Sequence, residues 1–463
     1  MRSKISIYIS LILSILLLYS SFTYFMASAK PEEIVLKVIT RHGADILLAA
    51  RKNFLKSDLA KKYNIRDVRF LPVGEPLWVD TIRSAGDIDV AWGGGPVLFD
   101  RLYVEGLLAP LKGEMIEKVM AKIPNEIMGS PMKRINKSDV YWVAAAISSF
   151  GFTINKDYLR HYGLPEPDEW IDLANETYAA TLPQPSVGCA DATKSTSNTR
   201  MYQIILQRYG WERGWIVITL MAANSRIYDQ SGLVRDAVIR GDIGVGITID
   251  FYGYTAQLES EACKYIVPSD GSIVNGDPIA LLKTSKHPEA AKAFIAWVLS
   301  AEGQKIWLNP KINRLPSNAE VFDTPEGKER EDLRQAYLRT LNASVIEFSD
   351  ELAMSYQYSM QWFFHATLVR PQEKLQRAWM ELVNSKEKLT PERFRELVDI
   401  LADPLKFKFT DPRTGEEVCF SQEYAQSINE EIFNNVDFRN DMVRIWKEAA
   451  EKRYEAVLQA LSE

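Results

Sequence analysis

The side chains in this chain best placed for chemistry are polar and aromatic groups that directly follow apolar runs. Residues 231–254 read SGLVRDAVIRGDIGVGITIDFYGY. Ser231 can cap a helix in which Val234, Ala237 and Val238 share a face, and Gly241 ends it. An apolar run over 243–249 then has the character of a strand buried on both faces. Asp250, Phe251, Tyr252 and Tyr254 come after its carboxyl end, where open α/β sheets place their ligands. They either wall a site or serve as ordinary core and surface aromatics. Gly93-Gly94-Gly95 follows DIDVAW and offers a row of backbone N–H donors with room for close approach. Trp92 just before it can stack on a flat ligand or fill the core. Ser148 and Ser149 interrupt the apolar segment YWVAAAISSFGFTIN and must bond either a solute or neighbouring backbone. His42 sits at a strand-to-helix corner, and Ser195, Thr196 and Ser197 precede another helix, both settings that favour anions or simple capping. Such donors suit recognition of an oxygen-rich solute. Catalysis has little to stand on, because the chain has no Gly-x-Ser-x-Gly, His-Glu-x-x-His or P-loop, and His42, His161, His287 and His365 are scattered. A secreted enzyme with an unfamiliar site and a scaffold with an apolar cleft are the rival classes.

The elements that must hold these groups alternate. Strands are expected at 34–40, 68–73 and 87–92, with helices at 44–63 and 75–84 between them. The second series has strands at 141–155, 186–190 and 243–249, with helices at 200–209 and 231–240. A strand at 265–268 precedes 271–283, where Asn275-Gly276-Asp277-Pro278 reads as a turn. From Pro288, Ala291, Phe294, Ile295, Val298 and Leu299 form one helical stripe. Two runs of alternation without a tandem repeat predict two α/β lobes. Beyond 318 the sequence becomes mostly helical, with a hairpin expected around Asp411-Pro-Arg-Thr-Gly415 and a final amphipathic helix over 438–461.

The 463 residues, 46% of them hydrophobic, suffice for more than one core. Arg2 and Lys4 precede an uncharged run over 5–26 that reaches Ala27-Ser28-Ala29, so residues 1–29 read as a signal peptide or an N-terminal anchor, with the body outside the cytoplasm. A net charge of −6 argues against nucleic acid as a partner. Of three cysteines, Cys189 and Cys263 fall in one expected lobe and are the pair expected to bridge, if any does. Asn136, Asn175 and Asn342 head glycosylation triplets.

Three segments carry a family resemblance: DVAWGGGPVLFDRLYVEGLLAPL; YWVAAAISSFGFTINKDYL; and the ordered set VRDAVIRGDIGVGITIDFYGYTA, NGDPIALLKTSKHPEAAKAFIAWVLSAEGQKIW and RLPSN. Together they resemble the extracytoplasmic solute-binding proteins of ABC importers, in the branch of ferric-ion, thiamine and phosphonate receptors, over about three fifths of the chain. The resemblance implies a two-lobed type II periplasmic-binding-protein architecture of α/β class. Lobe 1 would be 30–139 plus 270–345 and lobe 2 140–269, with 346–463 a helical C-terminal extension packed on a lobe. It implies a monomer that needs no cofactor, catalyses nothing, and hands a small solute to an ABC permease at the membrane. The residues read as binding the ligand, from their types and places after strands, are His42, Trp92, Gly93, Gly94, Gly95, Ser148, Ser149, Thr196, Ser197, Ser231, Asp250, Tyr252, Asn275 and Asp277. Iron-binding members use a His, a Glu and two adjacent Tyr; His42 and Tyr252 match two of these, while Phe251 and Gly94 replace the others. A polar or anionic organic solute is therefore favoured over ferric ion, with Asp250 able to attract a cationic group on a zwitterion.

Overall fold

The computed structural model describes residues 33–462, so the leader at 1–29 lies outside the described residues. The first lobe begins with β1 (Ile34–Thr40), whose inner residues Leu36, Val38 and Ile39 are fully buried, followed by α1 (Ala44–Phe54). The expected single helix over 44–63 is in fact two, because Ser57 caps a separate short helix, Asp58–Lys62, through its side chain. Then come β2 (Ile65–Pro72), α2 (Trp78–Ala85), β3 (Val90–Trp92) and α3 (Pro96–Val104). β1 runs parallel to both β2 and β3, as helical crossovers require.

The chain leaves this lobe in β4 (Asp139–Asn155), a 17-residue strand. The second lobe holds β5 (Val187–Ala190), α4 (Thr196–Tyr209), α5 (Trp211–Ala223), β6 (Ser225–Tyr228), α6 (Ser231–Arg240), β7 (Val245–Ile249), α7 (Asp250–Glu259) and β8 (Cys263–Ile266). The chain returns in β9 (Val274–Leu282) and packs α8 (Pro288–Leu299) against lobe 1. Strand order along the sheet is β6-β5-β7-β4-β9-β3-β1-β2. Strand β4 is the continuous link between the lobes: Ser148 and Ser149 pair with Asn275 and Val274 of β9, and Phe150 pairs with Ile249 of β7. Its partner changes between Ser149 and Phe150. The expected turn at 275–278 is instead part of β9, with a register shift at Asp277/Pro278. A third pass of chain is tied in where Ser272 bridges Val345.

The extension contains α9 (Asp350–Phe364), α10 (Gln372–Asn384), α11 (Pro391–Ala402), α12 (Gln422–Asn434) and α13 (Val436–Ser462). The expected hairpin forms from Lys408–Thr410 and Glu417–Cys419. Tyr356, Phe363, Phe364, Trp379 and Trp446 share one apolar cluster with Phe152, Trp170, Tyr202 and Trp215 of lobe 2. Phe363 stacks on Phe420 at 3.6 Å, with Trp446 edge-on to Phe363 at 5.3 Å. Each such burial contributes about 1.5–3 kcal/mol, so lobe 2 and the extension are welded by a common core. Lobe 1 is built on two other clusters, one of which takes in Tyr254 and Tyr265 of lobe 2.

Cys189, Cys263 and Cys419 are free thiols, contrary to the expected Cys189–Cys263 bridge. Cys189 belongs to the cluster that runs into the extension and Cys263 to another beneath α6, so their side chains serve different cores. Burial pushes the Cys189 thiol up to about 11. Among the described residues, no helix is long and apolar enough to cross a membrane.

Candidate functional site

A cleft of about 620 Å³ opens where the lobes face each other. Besides α7, whose Phe251 N–H is taken by the Asp250 carboxylate, four helices present their amino ends to it, each entering just after a strand. In lobe 1, α1 starts behind Gly43 and α3 behind Gly95, neither of which has a side chain that can cap. In lobe 2, α6 starts behind Gln230 without a side-chain cap, and α4 is capped by Ser195, which accepts from the Asn198 N–H. Gly93, Gly94 and Gly95 adopt φ of 80°, 126° and 86°, a conformation only glycine takes cheaply. It turns the chain sharply from β3 into α3. Uncapped helix starts leave backbone N–H groups without partners and carry partial positive charge.

Six basic side chains, Arg41, Lys194, Arg200, Arg235, Lys311 and Arg314, line the cleft against three acidic ones, Asp45, Glu75 and Asp277. At the floor, the Arg314 guanidinium is buried and reaches Asp277 Oδ2 at 2.6 Å. It also donates to Ser148 Oγ at 3.3 Å, lies 3.4 Å from His42 Nδ1, and sits 4.9 Å from the Phe251 ring centre. The other Asp277 oxygen accepts from the Gly94 N–H at 3.0 Å. Burial works to raise the Asp277 carboxyl, but the Arg314 charge, His42 and the Gly94 N–H together hold it below the usual range. His42 is pushed down to about 4, chiefly by burial, with Asp277 opposing and Arg314 assisting. The ring is neutral at neutral pH. With Nδ1 facing an arginine donor, its proton belongs on Nε2. Among the described residues, His42 Nε2, Ser231 Oγ and Arg314 Nε are buried without a hydrogen-bond partner.

Of the expected residues, His42, Gly94, Gly95, Ser148, Thr196, Ser197, Ser231, Tyr252, Asn275 and Asp277 line this one cleft, from both lobes. Four others stand behind it. Trp92 is fully buried and packs its indole against the His42 ring, 4.5 Å between centres, so it supports the wall instead of forming it. Gly93 donates to the Pro278 carbonyl at 2.8 Å, and a Cβ there would stand 2.6 Å from His42 Nε2. Ser149 and Asp250 are both buried: the carboxylate accepts from the Ser149 N–H and the Phe251 N–H, each at 2.7 Å. Burial pushes Asp250 up to about 7, against those hydrogen bonds and the Arg314 charge. A group so enclosed is not available to a cationic solute. Ser231 is the first residue of α6 and not its cap, which is why its hydroxyl remains unpaired. Tyr252 carries Arg235 over its ring at 5.0 Å, while Tyr254 packs on Tyr265.

The basic residues escaped the sequence reading, although Arg314 lies in the RLPSN segment quoted above. Gln203 of α4 and Gln357 and Gln361 of α9 were also missed, the last two because the extension had no expected part in the cleft. No cluster of three or more His, Cys, Asp or Glu side chains able to hold a metal occurs among the described residues.

Residues 48–305 match the family model described as bacterial extracellular solute-binding protein. The phosphoglycerate transport regulatory protein PgtC of Salmonella typhimurium is 30% identical over 192 residues, 41% of this chain and 47% of that protein. The chain thus spans about half the length of that relative. An Fe(3+)-binding periplasmic protein of Serratia marcescens is 22% identical over 249 residues, 50% of this chain and 71% of its own. Among solved structures, the GacH receptor of Streptomyces glaucescens superposes with a TM-score of 0.56 at 15% identity, covering 71% of this chain and 92% of that one. The chain therefore belongs to the bacterial extracellular solute-binding proteins, with a two-lobed α/β fold that carries additional C-terminal helices.

Proposed function

We propose that this chain is an extracytoplasmic receptor that captures an anionic organic solute, phosphorylated or carboxylated, and presents it to an ABC permease. The observation that carries this reading is the convergence of four helix amino ends and six basic side chains on one cleft of a chain whose net charge is −6. Each helix end favours an anion by about 0.3–1 kcal/mol. The volume suits a small organic molecule and far exceeds a bare ion. The name of the Salmonella relative, a phosphoglycerate transport regulatory protein, points the same way. With Asp250 enclosed, the cation-binding half of a zwitterion reading loses its residue.

A ferric-ion receptor is the second reading, favoured by His42 and Tyr252 lining the same cleft and by the name of the Serratia relative. Against it stand the missing hard oxygen ligands at Phe251 and Gly94, and the Arg314 charge beside His42. Calorimetric titration with 3-phosphoglycerate, fructose 6-phosphate and ferric citrate separates the two. The anion reading expects a phosphoester to bind, more weakly at high salt, and to be recovered unchanged. Ferric uptake with a tyrosinate charge-transfer band, and no response to either phosphoester, would overturn it.

A further inference from the structure

Gln357 and Gln361 lie four residues apart on α9, and both border the cleft. Packing does not require them, since Tyr356, Met360, Phe363 and Phe364 already anchor this helix in the lobe 2 core. Polar side chains on a largely buried helix are costly unless paired. These are paired across α4. Gln361 Nε2 donates to Thr199 Oγ1 at 3.2 Å, and Gln203 Nε2 donates to Gln357 Oε1 at 3.2 Å and to the Ala353 carbonyl at 3.3 Å. Arg200 adds an ion pair to Asp350. The Gln361 amide is therefore fixed by its nitrogen and the Gln357 amide by its oxygen. Gln361 keeps its Oε1 as an acceptor; Gln357 Nε2 spends one N–H on the Glu75 carboxyl of lobe 1, which burial pushes up against Arg41, Arg101 and Gln357, and keeps its second N–H as a donor. The wall is held to lobe 1 as well, by Arg101 of α3, which donates to the Tyr358 hydroxyl at 2.8 Å and covers the Phe433 ring at 4.6 Å.

The cleft thus has two unlike ends. Thr196 and Ser197, at the start of α4, belong to the anion-attracting end. Gln203 lies six residues along the same helix from Ser197, a rise of about 9 Å, and belongs to the amide end. A bare inorganic anion uses only the first. We propose that the C-terminal extension is part of the recognition surface: Gln357 and Gln361 bind the uncharged, hydroxyl-bearing body of the solute and restrict the class to hydroxylated organic anions, such as a glycerate or sugar phosphate. This rests on the anionic-solute reading above.

The test is calorimetric titration of the full chain with 3-phosphoglycerate, fructose 6-phosphate and inorganic phosphate, in the wild type, in Gln361→Ala, and in Gln357→Ala with Gln361→Ala. Two lost hydrogen bonds predict that the double variant binds the phosphoester about tenfold or more weakly, with inorganic phosphate affinity unchanged. Gln361→Ala alone, which gives up one contact to Thr199, keeps the comparison intact if the double variant does not fold; it should show about a threefold phosphoester-specific loss. Unchanged phosphoester affinity, or an equal fall for both probes, would overturn the amide wall and leave the anion site standing. Wild type that binds none of the three would overturn the anion reading itself, and this inference with it.

Discussion

At the scale of single residues, Arg314 and Asp277 form the ion pair on which the cleft floor is built. Both are buried, and their interaction offsets two large desolvation costs. Arg314→Leu leaves Asp277 enclosed and unpaired, and is expected to destabilise the chain by about 3–5 kcal/mol. Adding Asp277→Asn should recover much of that loss, because the orphaned charge is gone. Urea unfolding of the single and double variants checks this, and additive losses would contradict it. His42 and Asp250 make an opposed pair in pH dependence. Asp250 binds a proton in the folded chain up to about 7, against 3.8 ordinarily, so its contribution is full below about 4 and is lost as pH rises to about 7. His42 refuses a proton down to about 4, against 6.5 ordinarily, so its contribution is full above 6.5 and is lost as pH falls to about 4. The two slopes, each at most about 1.4 kcal/mol per pH unit, largely cancel in the wild type. Asp250→Asn should therefore make stability rise with pH between 4 and 6.5, and His42→Gln should make it fall. Melting temperatures across that window that run parallel in the two variants would refute the assignment.

At the scale of elements, the decisive feature is β4 changing partner between Ser149 and Phe150, with Asp250 tying its backbone to the start of α7. That junction is tight on the lobe 2 side. A Cβ on Gly151 would stand 2.2 Å from the Ile266 carbonyl oxygen, so the two strands approach too closely for any side chain. Gly151→Ala is expected to cost about 1–3 kcal/mol and to loosen β8 from β4. Hydrogen exchange should then show faster amides over 263–266 than over β1, and uniform protection would argue against a local effect.

At the scale of the molecule, lobe 2 and the extension form one body because one apolar cluster passes through both, while lobe 1 is built on others. Trp446 is fully buried in α13, against Phe363, Phe409 and Phe420. Trp446→Ala should cost about 3–5 kcal/mol and lower the melting of lobe 2 and the extension together. Calorimetry that resolved an early transition of the extension alone would show the shared core to be energetically divided. A solute bridging the lobes acts in the opposite sense, adding about 2.7 kcal/mol at a hundredfold excess over its dissociation constant.

Much of this was legible in the residues alone. Apolar runs such as 34–40 and 243–249, glycines after β3 and polar clusters after strands state the two-lobed α/β plan, because burial and backbone conformation are local demands. Ten of the proposed ligand residues share the cleft for that reason: strand ends in such a sheet point to one place. What the sequence could not decide was depth and partnership. Trp92 and Asp250 look like ligand groups by type and position, yet the packing of His42 and the backbone of Ser149 place them behind the wall. Arg314, 37 residues beyond Asp277, becomes its counter-charge only when β9 and the following chain are folded onto β4. Gln357 and Gln361 reach the cleft only because the extension shares its core with lobe 2. Short-range pattern encodes which segments are buried and how they turn; which side chains meet across hundreds of residues is fixed by the packing of whole elements.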